Sequence, residues 1–414
     1  MKPSSPGIGL IALAALLTSA VGGPIIFTVD TFITPFDATF EGQDIVVSNA
    51  VLTVDGSHSF ASLRLEHGAV LTHTASSNGG LSVVMQATNE PLLLASTNAS
   101  ALVNSNVNAL SIVVRQQDGP LVYTNDVDYF VSTIGTLTSL QRTEFSAIPD
   151  GATVWVSYEH AHTHETGLKL SIAGDLEVES SASINGSGRG YAAGLGTGLG
   201  ASIGFPLSGG GGGHGGFGGV SSTNAAGGSP SGSPFAPGRL GGCGGGGVGG
   251  LGAAGGGRVL LMVGSNVVLN GTLTVNGWNA TNSRAGGGAG GSIWLTAQTL
   301  SGFGTISANG GNGEPLHGGG GGGGRIAIET KTNLFAGILD AVGGNGWQRG
   351  GAGTVFLRTN GMIGQLVVDN GGIAGASTLV QLTNVADVTL QGRAEAVVSG
   401  AQTMRNLIVR SNSS

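Results

Sequence analysis

Cysteine is almost missing: Cys243 stands alone among 414 residues. No internal disulfide framework can form, so stability has to come from packing and hydrogen bonds. Charge is scarce as well. Only 9% of residues are Asp, Glu, Lys or Arg, and the net charge is −7. Phosphate backbones are bound by clustered Lys and Arg, and no basic run of five occurs, which argues against nucleic acid as a partner. Proline, at 12, is too sparse for collagen, and the 81 glycines come in uneven runs rather than at every third position. Long apolar runs are lacking beyond the N-terminus, so no membrane span is expected in the mature chain. No stretch carries a 3.6-residue apolar stripe, so almost no helix is expected. Glycine-rich tracts often stay disordered. Here 40% of residues are hydrophobic, which opposes that reading.

What is present begins with "MKPSSPGIGLIALAALLTSAVGGP". Lys2 precedes a ten-residue apolar run, residues 8–17, and small residues prepare cleavage after Ala20. Residues 1–20 read as a secretory signal peptide, which predicts a secreted or cell-surface protein. Residues 21–109 hold short alternating runs, "IIFTVD", "DIVVSNAVLTVDG" and "SLRLEHGAVLTH". Similar units return at 168–188 and 387–400. Period-two alternation broken every 8–12 residues means many short strands. Coiled together, such units predict an all-β fold, a right-handed parallel β-solenoid with a continuous core of Leu, Val and Ile. Residues 110–166 break the pattern. They hold three of the four tyrosines and the amphipathic "IPDGATVWVSY", and read as a small inserted antiparallel β module. Irregular solenoid rungs are the competing reading. Residues 361–414 read as further rungs, and "RNLIVRSNSS" is expected to be a rung that continues beyond the sequence given.

Residues 167–360 contain a repeat. Strands follow glycine at Arg258, Ser292, Arg325 and Thr354, and a second strand follows in "GTLTVNGW", "GTISANGG" and "GILDAVGG". The period is about 33 residues. Between the strands lie the glycine runs, of which "GGGGGGGRIAIE" is typical. Ordering glycine is entropically costly. Extended polyglycine has about three residues per turn and no internal hydrogen bonds. Several runs side by side can pair N–H with C=O between chains. The strands are therefore expected to anchor an ordered polyglycine-II-like bundle, with His214, Phe217, Cys243 and Val248 pointing outward. Floppy loops are the alternative. Gly321 is read as a bundle glycine and Gly56 as a turn glycine.

"GGAGGSIWLTAQTLSGFGTISANGGNG" and "GGGGGGGRIAIE" closely resemble the glycine-rich repeat of large exported surface proteins of environmental gram-negative bacteria. "GDLEVESSASINGSGRGY" resembles the lead-in to that repeat. The resemblance covers about residues 167–357 and implies a β-solenoid at the cell surface, not an activity. "IPDGATVWVSY" more weakly resembles small β-sandwich modules of surface and phage-tail proteins.

Few residues offer chemistry. "GGNGEP" and "GGNGWQ" match the glycines of calcium-binding nonapeptides but lack the Asp. No Gly-Lys-Ser/Thr exists for a P-loop. "HAHTH" sets His160, His162 and His164 on one strand face, a weak candidate for a metal. A polar linker explains them more simply, and no cofactor is expected. Carboxylates such as Asp340 and Asp369 look scattered, so no acid–base pair can be named. Asn98, Asn185, Asn270 and Asn279 are N-glycosylation acceptors only in a eukaryotic source. Trp278 and Trp347 occupy "NGW" corners that look equivalent, and are the candidate contacts for an extracellular glycan or cell-surface matrix. Turn capping is the competing reading. The expectation is an exported, non-enzymatic surface or matrix protein, structural or adhesive. The alternatives are a polysaccharide-active lyase or hydrolase on a β-solenoid and, last, an ice-binding protein.

Overall fold

The computed structural model of the chain describes residues 23–76, 80–96, 98–104, 106–135 and 137–414. The expected signal peptide lies outside them. Among the described residues the fold is all-β: two short 3-10 turns, Ala38–Phe40 and Ala109–Ser111, are its helical structure. No helix there is long and apolar enough to cross a membrane. The chain divides into two compact units, Ser76–Thr166 and the sequence flanking it on both sides.

In the larger unit, strands stack in two mostly parallel sheets. One contains Ile25–Phe27, Asp44–Ser48, Ser62–Glu66, Leu176–Val178, Asn266–Leu269, Ser292–Gly302, Arg325–Phe335 and Thr354–Thr359. The other contains Thr31–Ile33, Val51–Val54, Val70–Thr72, Ser183–Asn185, Thr272–Thr274, Thr305–Ser307 and Ile338–Asp340. Like side chains sit on like: Leu52, Leu71, Ile184, Leu273, Ile306 and Leu339 pair in register one above the next. Neighbouring strands lie about 4.8 Å apart, so this column is a continuous apolar core. Each fully buried Leu or Ile in it contributes roughly 1.5–3 kcal/mol.

The insertion leaves the stack unbroken. Leu63 pairs directly with Leu176, and most of the intervening chain is Ser76–Thr166. The repeat read from sequence is the register of the sheet: Arg258 pairs with Ser292, Ser292 with Arg325, and Arg325 with Thr354. Residues 361–414 bring a difference. Gln365–Asp369 runs antiparallel to Thr354–Thr359, and only then do Asp387–Gln391 and Asn406–Val409 follow in parallel. The reversal occurs at Asn360 and Gly361, whose φ angles are 52° and 66°. Asn-Gly favours tight reversals because both residues tolerate positive φ.

The glycine runs are ordered by hydrogen bonds. Along 286–291 the amide donors rotate through three neighbours. Gly286 and Ala289 donate to Gly245 and Gly242; Gly287 and Gly290 donate to Gly319 and Gly322; Gly288 and Gly291 donate to Trp278 and Val275. The run 319–324 repeats the scheme. Gly319 and Gly322 donate to Gly209 and Gly212, Gly320 and Gly323 to Gln348 and Gly351, and Gly321 and Gly324 to Gly311 and Ala308. These twelve bonds measure 2.6–3.0 Å. Donors that return to the same neighbour every third residue trace an extended helix of three residues per turn. All of 318–324 is buried, and buried amides have to be paired. Side chains are excluded: a Cβ on Gly319 or Gly321 would overlap the carbonyl of Gly219 or Gly288.

Two expectations about single residues change. His214 and Cys243 do not point outward; both are fully buried. Gly56 stands at the corner between Val51–Val54 and Gly56–Phe60 with a φ of 91°, and it is packed against Pro35.

Asparagine columns clamp the corners of the repeat. Asn276 Oδ1 accepts from Asn309 N at 2.7 Å, and Asn309 Oδ1 accepts from Val342 N at 2.8 Å. The same happens from Asn279 to Asn312 and from Asn312 to Asn345. Asn309 is half-buried and also donates to Asp340 at 2.9 Å, whereas Asn312 is exposed. Asn309→Ala should therefore cost about 1–3 kcal/mol and Asn312→Ala less than about 1 kcal/mol. Urea midpoints of the two variants check this order.

The smaller unit is antiparallel. One sheet joins Val122–Tyr123, Val113–Gln116, Ala152–Glu165 and Gly80–Leu94; a second joins Tyr129–Ile134, Leu137–Arg142 and Ala99–Ala101. Leu94, Val114, Leu140, Ile148, Val154 and Val156 lie in its core. The unit starts at Ser76, well before residue 110, where the sequence reading placed it. Gly80–Leu94 alternates like a rung strand, but its partner is Ala152–Glu165, in antiparallel register. Alternation reports a half-buried strand and is silent on the direction of its neighbour.

Candidate functional site

A cleft of about 420 Å³ opens on the outer face of the repeat strands. The register builds it. Trp294, Ala327 and Phe356 stack across three strands, as do Thr296, Glu329 and Arg358. The small Ala327 leaves a notch between two aromatic neighbours. Phe235 fills part of it, edge-on to Phe356 with ring centroids 4.8 Å apart. At the rim, Trp294 Nε1 donates to Glu329 Oε1 at 3.3 Å, and Arg358 pairs with the same carboxylate. Met362 and Ile363, on the segment after the reversal, expose apolar surface along the opposite lip.

The segment carrying Phe235 is pinned by the first residues of the repeat strands. Arg258 Nη1 donates to Gly238 O at 3.0 Å, Ser292 Oγ to Arg239 O at 2.6 Å, and Arg325 Nε to Ser231 O at 3.0 Å. The ring of His214 lies 3.3 Å from Ser231 Oγ and 2.9 Å from Ser292 Oγ. Burial pushes His214 down to about 3 and Arg325 down to about 10, and the Arg325 and Arg239 guanidiniums depress His214 further. A neutral histidine and a nearly enclosed arginine thus hold the excursion to the stack.

Chemically the cleft offers aromatic and aliphatic walls with one carboxylate–guanidinium pair. Two carboxylates about 5–9.5 Å apart are the usual requirement for glycoside hydrolysis; this cleft is lined by Glu329 alone. Asp340 and Asp369, which looked scattered, do come together, lining a smaller cavity of about 150 Å³ with Gln391. Both are engaged: Asp340 accepts from Asn309, and Asp369 accepts from Gly371 N and Gln391 Nε2, each of the latter at 2.8 Å.

The predicted contacts fall elsewhere. Trp278 and Trp347 are more than half exposed, but they are not equivalent. Gly288 donates to Trp278 O and Gly321 to Gly311 O, while Gly344 donates to Gly321 O. Trp278 therefore corresponds to Gly311 and Gly344, and Trp347 sits three residues further along its corner. The Trp278 indole rests against Gly188, where a Cβ would overlap it, as a turn cap does. His160 is buried on Ala152–Glu165, its ring edge-on to Tyr158 with centroids 6.0 Å apart. His162 and His164 share that strand, and their side chains lie outside the described residues. Among the described residues no group of three or more His, Cys, Asp or Glu could hold a metal ion.

The cleft was legible only through the repeat. Trp294 and Phe356 each stand two residues after a strand start, an alignment visible once the strands are superimposed. Phe235 gave no such signal, because it arrives from an irregular excursion. Comparison with protein-family models, curated proteins and solved structures finds no match to this chain.

Proposed function

We propose that the chain is an exported structural or adhesive protein of a cell surface or extracellular matrix, without enzymatic activity. In this reading its strands coil as a right-handed parallel β-solenoid, and the glycine excursions form a polyglycine-II bundle along one side. One observation carries the proposal: buried glycine amides bond to three neighbouring chains in rotation, so stiffness comes from backbone alone. A scaffold of that kind needs neither disulfide nor metal, which suits a chain with one buried cysteine outside the cell. The glycine-rich segments that resemble exported surface proteins point the same way. The partner is an extracellular glycan or a surface matrix, not nucleic acid.

Expression in a gram-negative host with the native N-terminus tests this. The mature chain should begin at Val21 and reach the surface or medium. An intact Met1 on protein retained in the cytoplasm would refute export. A polysaccharide-active enzyme is the second reading, favoured only by the shared cavity of Asp340 and Asp369. Release of reducing ends from a plant or bacterial polysaccharide, abolished by Asp340→Asn, would establish it.

A further inference from the structure

We infer that the smaller unit carries a glycan-binding groove centred on Trp155 and Arg115, suited to a chain of sugars bearing an isolated uronic acid. The inference rests on the adhesive reading above and assigns its ligand class and its site. On Ala152–Glu165, Val154, Val156 and Tyr158 are buried in the core of the unit, so Trp155 lies on the other face of the sheet. There it stands directly between Pro91 on one neighbouring strand and Arg115 on the other. Directly opposed residues in an antiparallel pair place their Cβ atoms about 4.5–5.5 Å apart, so indole and guanidinium are side by side. Together with Asn89, Gln116, Asp118 and Pro120 they line a groove of about 430 Å³, within the size range of small-ligand sites.

The polar groups of this groove are uncommitted. Among the described residues, the Arg115 guanidinium, the Asp118 carboxylate and the Trp155 indole N–H have no hydrogen-bond or ion-pair partner. Gln116 folds back over Gly119, and Trp155 keeps partial exposure at the groove. The exposed part of an indole stacks on the apolar face of a pyranose ring, and flanking donors and acceptors take its hydroxyls. The charge pattern narrows the class. The unit contains eight carboxylates and two arginines, Arg115 and Arg142. Arg142 is used internally, donating to Ile148 O at 2.6 Å. The cation beside the indole is thus a single point of positive charge in an acidic unit. It matches one carboxylate on a sugar, which a guanidinium can hold with two parallel hydrogen bonds. Polyanions are disfavoured by the surrounding charge.

The test uses the full mature chain, titrated calorimetrically with a xylo-oligosaccharide bearing one glucuronic acid and with the same oligosaccharide lacking it. The native chain should bind both, the acidic one at least threefold more tightly, with that preference fading at high salt. Trp155→Ala should weaken both at least tenfold, and Trp155→Tyr should restore most of the loss. Arg115→Gln should remove the preference, leaving the acidic oligosaccharide bound no more tightly than the neutral one. Thermal transitions of all variants are recorded, so that a collapsed unit is not mistaken for a lost contact. Binding that survives Trp155→Ala but disappears in Trp278→Ala, Trp347→Ala overturns this groove and keeps the adhesive reading. Binding of neither oligosaccharide by a folded native chain overturns the groove as well. Export is decided separately, by the location of the mature chain.

Discussion

Gly321→Val should unfold the repeat region or destabilise it by several kcal/mol, while Gly238→Ala should shift stability by less than about 1 kcal/mol. Gly321 donates to Gly311 O at 2.9 Å and accepts from Gly344 N at 2.8 Å. Its missing side chain is where a third chain passes: a Cβ would overlap the carbonyl group of Gly288. That obstacle is backbone, so no rotamer change relieves it. Separating the chains strains the bonds on both sides, and a buried donor left unpaired costs about 1–3 kcal/mol beyond the overpacking itself. Gly238 has nothing within 4 Å of its would-be Cβ and no positive φ, so alanine there meets neither clash nor strain. It is a better control than Gly56, which is packed against Pro35 and has a φ of 91°. Urea unfolding of the two variants decides the matter. Equal midpoints would remove the bundle as a source of stability.

The repeat was legible because its period is written twice, once in the alternating strands and once in the glycine runs between them. The strand starts at 258, 292, 325 and 354 found from sequence are the ones that pair. Other features were written but unread. Asn360-Gly361, between two alternating runs, is a strong reversal signal, and it marks where the stack turns antiparallel. The asparagine columns recur at the repeat spacing, as Asn276 with Asn309 and Asn279 with Asn312 and Asn345. What could not be read is set by long-range geometry. Nothing local says that Gly80–Leu94 pairs with Ala152–Glu165 rather than with the rung before it. Nothing local says that His214 turns inward, since a histidine flanked by glycines has equal backbone freedom to face either way. Trp278 and Trp347 look equivalent because both end in "NGW"; the three-residue offset shows only when each is counted from the second strand of its repeat, six residues after Thr272 and nine after Ile338. Alternation in "ATVWVSY" sets Trp155 on the face opposite Val154, Val156 and Tyr158, but only the fold shows that the Tyr158 face is the buried one.

Two buried histidines, His73 and His214, should make the protein acid-labile well above the usual carboxylate range. His73 and His214 are buried, and desolvation holds them at about 4 and about 3, against 6.5 for a free side chain. His73 Nδ1 is 2.8 Å from Thr74 O, its Nε2 has no partner, and Asp55, Arg189 and Arg258 are the charges near it. His214 faces Ser231, Ser292 and the guanidiniums of Arg239 and Arg325. Both folded values lie below the unfolded one, so the unfolded chain binds more protons as pH falls through 6.5. Stability contributed by the neutral rings is whole above pH 6.5 and is lost progressively as pH drops toward the folded values. Between pH 6.5 and 4.5 each histidine should subtract about 2–3 kcal/mol, together a large share of an ordinary domain's stability. The carboxylates held low by hydrogen bonds, among them Glu41, Asp175, Glu179 and Asp387, begin to act only at the acid end of that window, where the glutamates' ordinary value of 4.5 lies, so the histidine slope is read above about pH 5. Urea midpoints taken at half-unit steps from pH 7.5 to 4.5 should fall steadily. His214→Gln will lower stability at neutral pH, since the serines lose a well-fitted partner, but it should flatten the pH slope by about half. The slope, not the midpoint, is the measurement that decides: a variant that keeps the native slope would show that His214 is not the group taking up the proton.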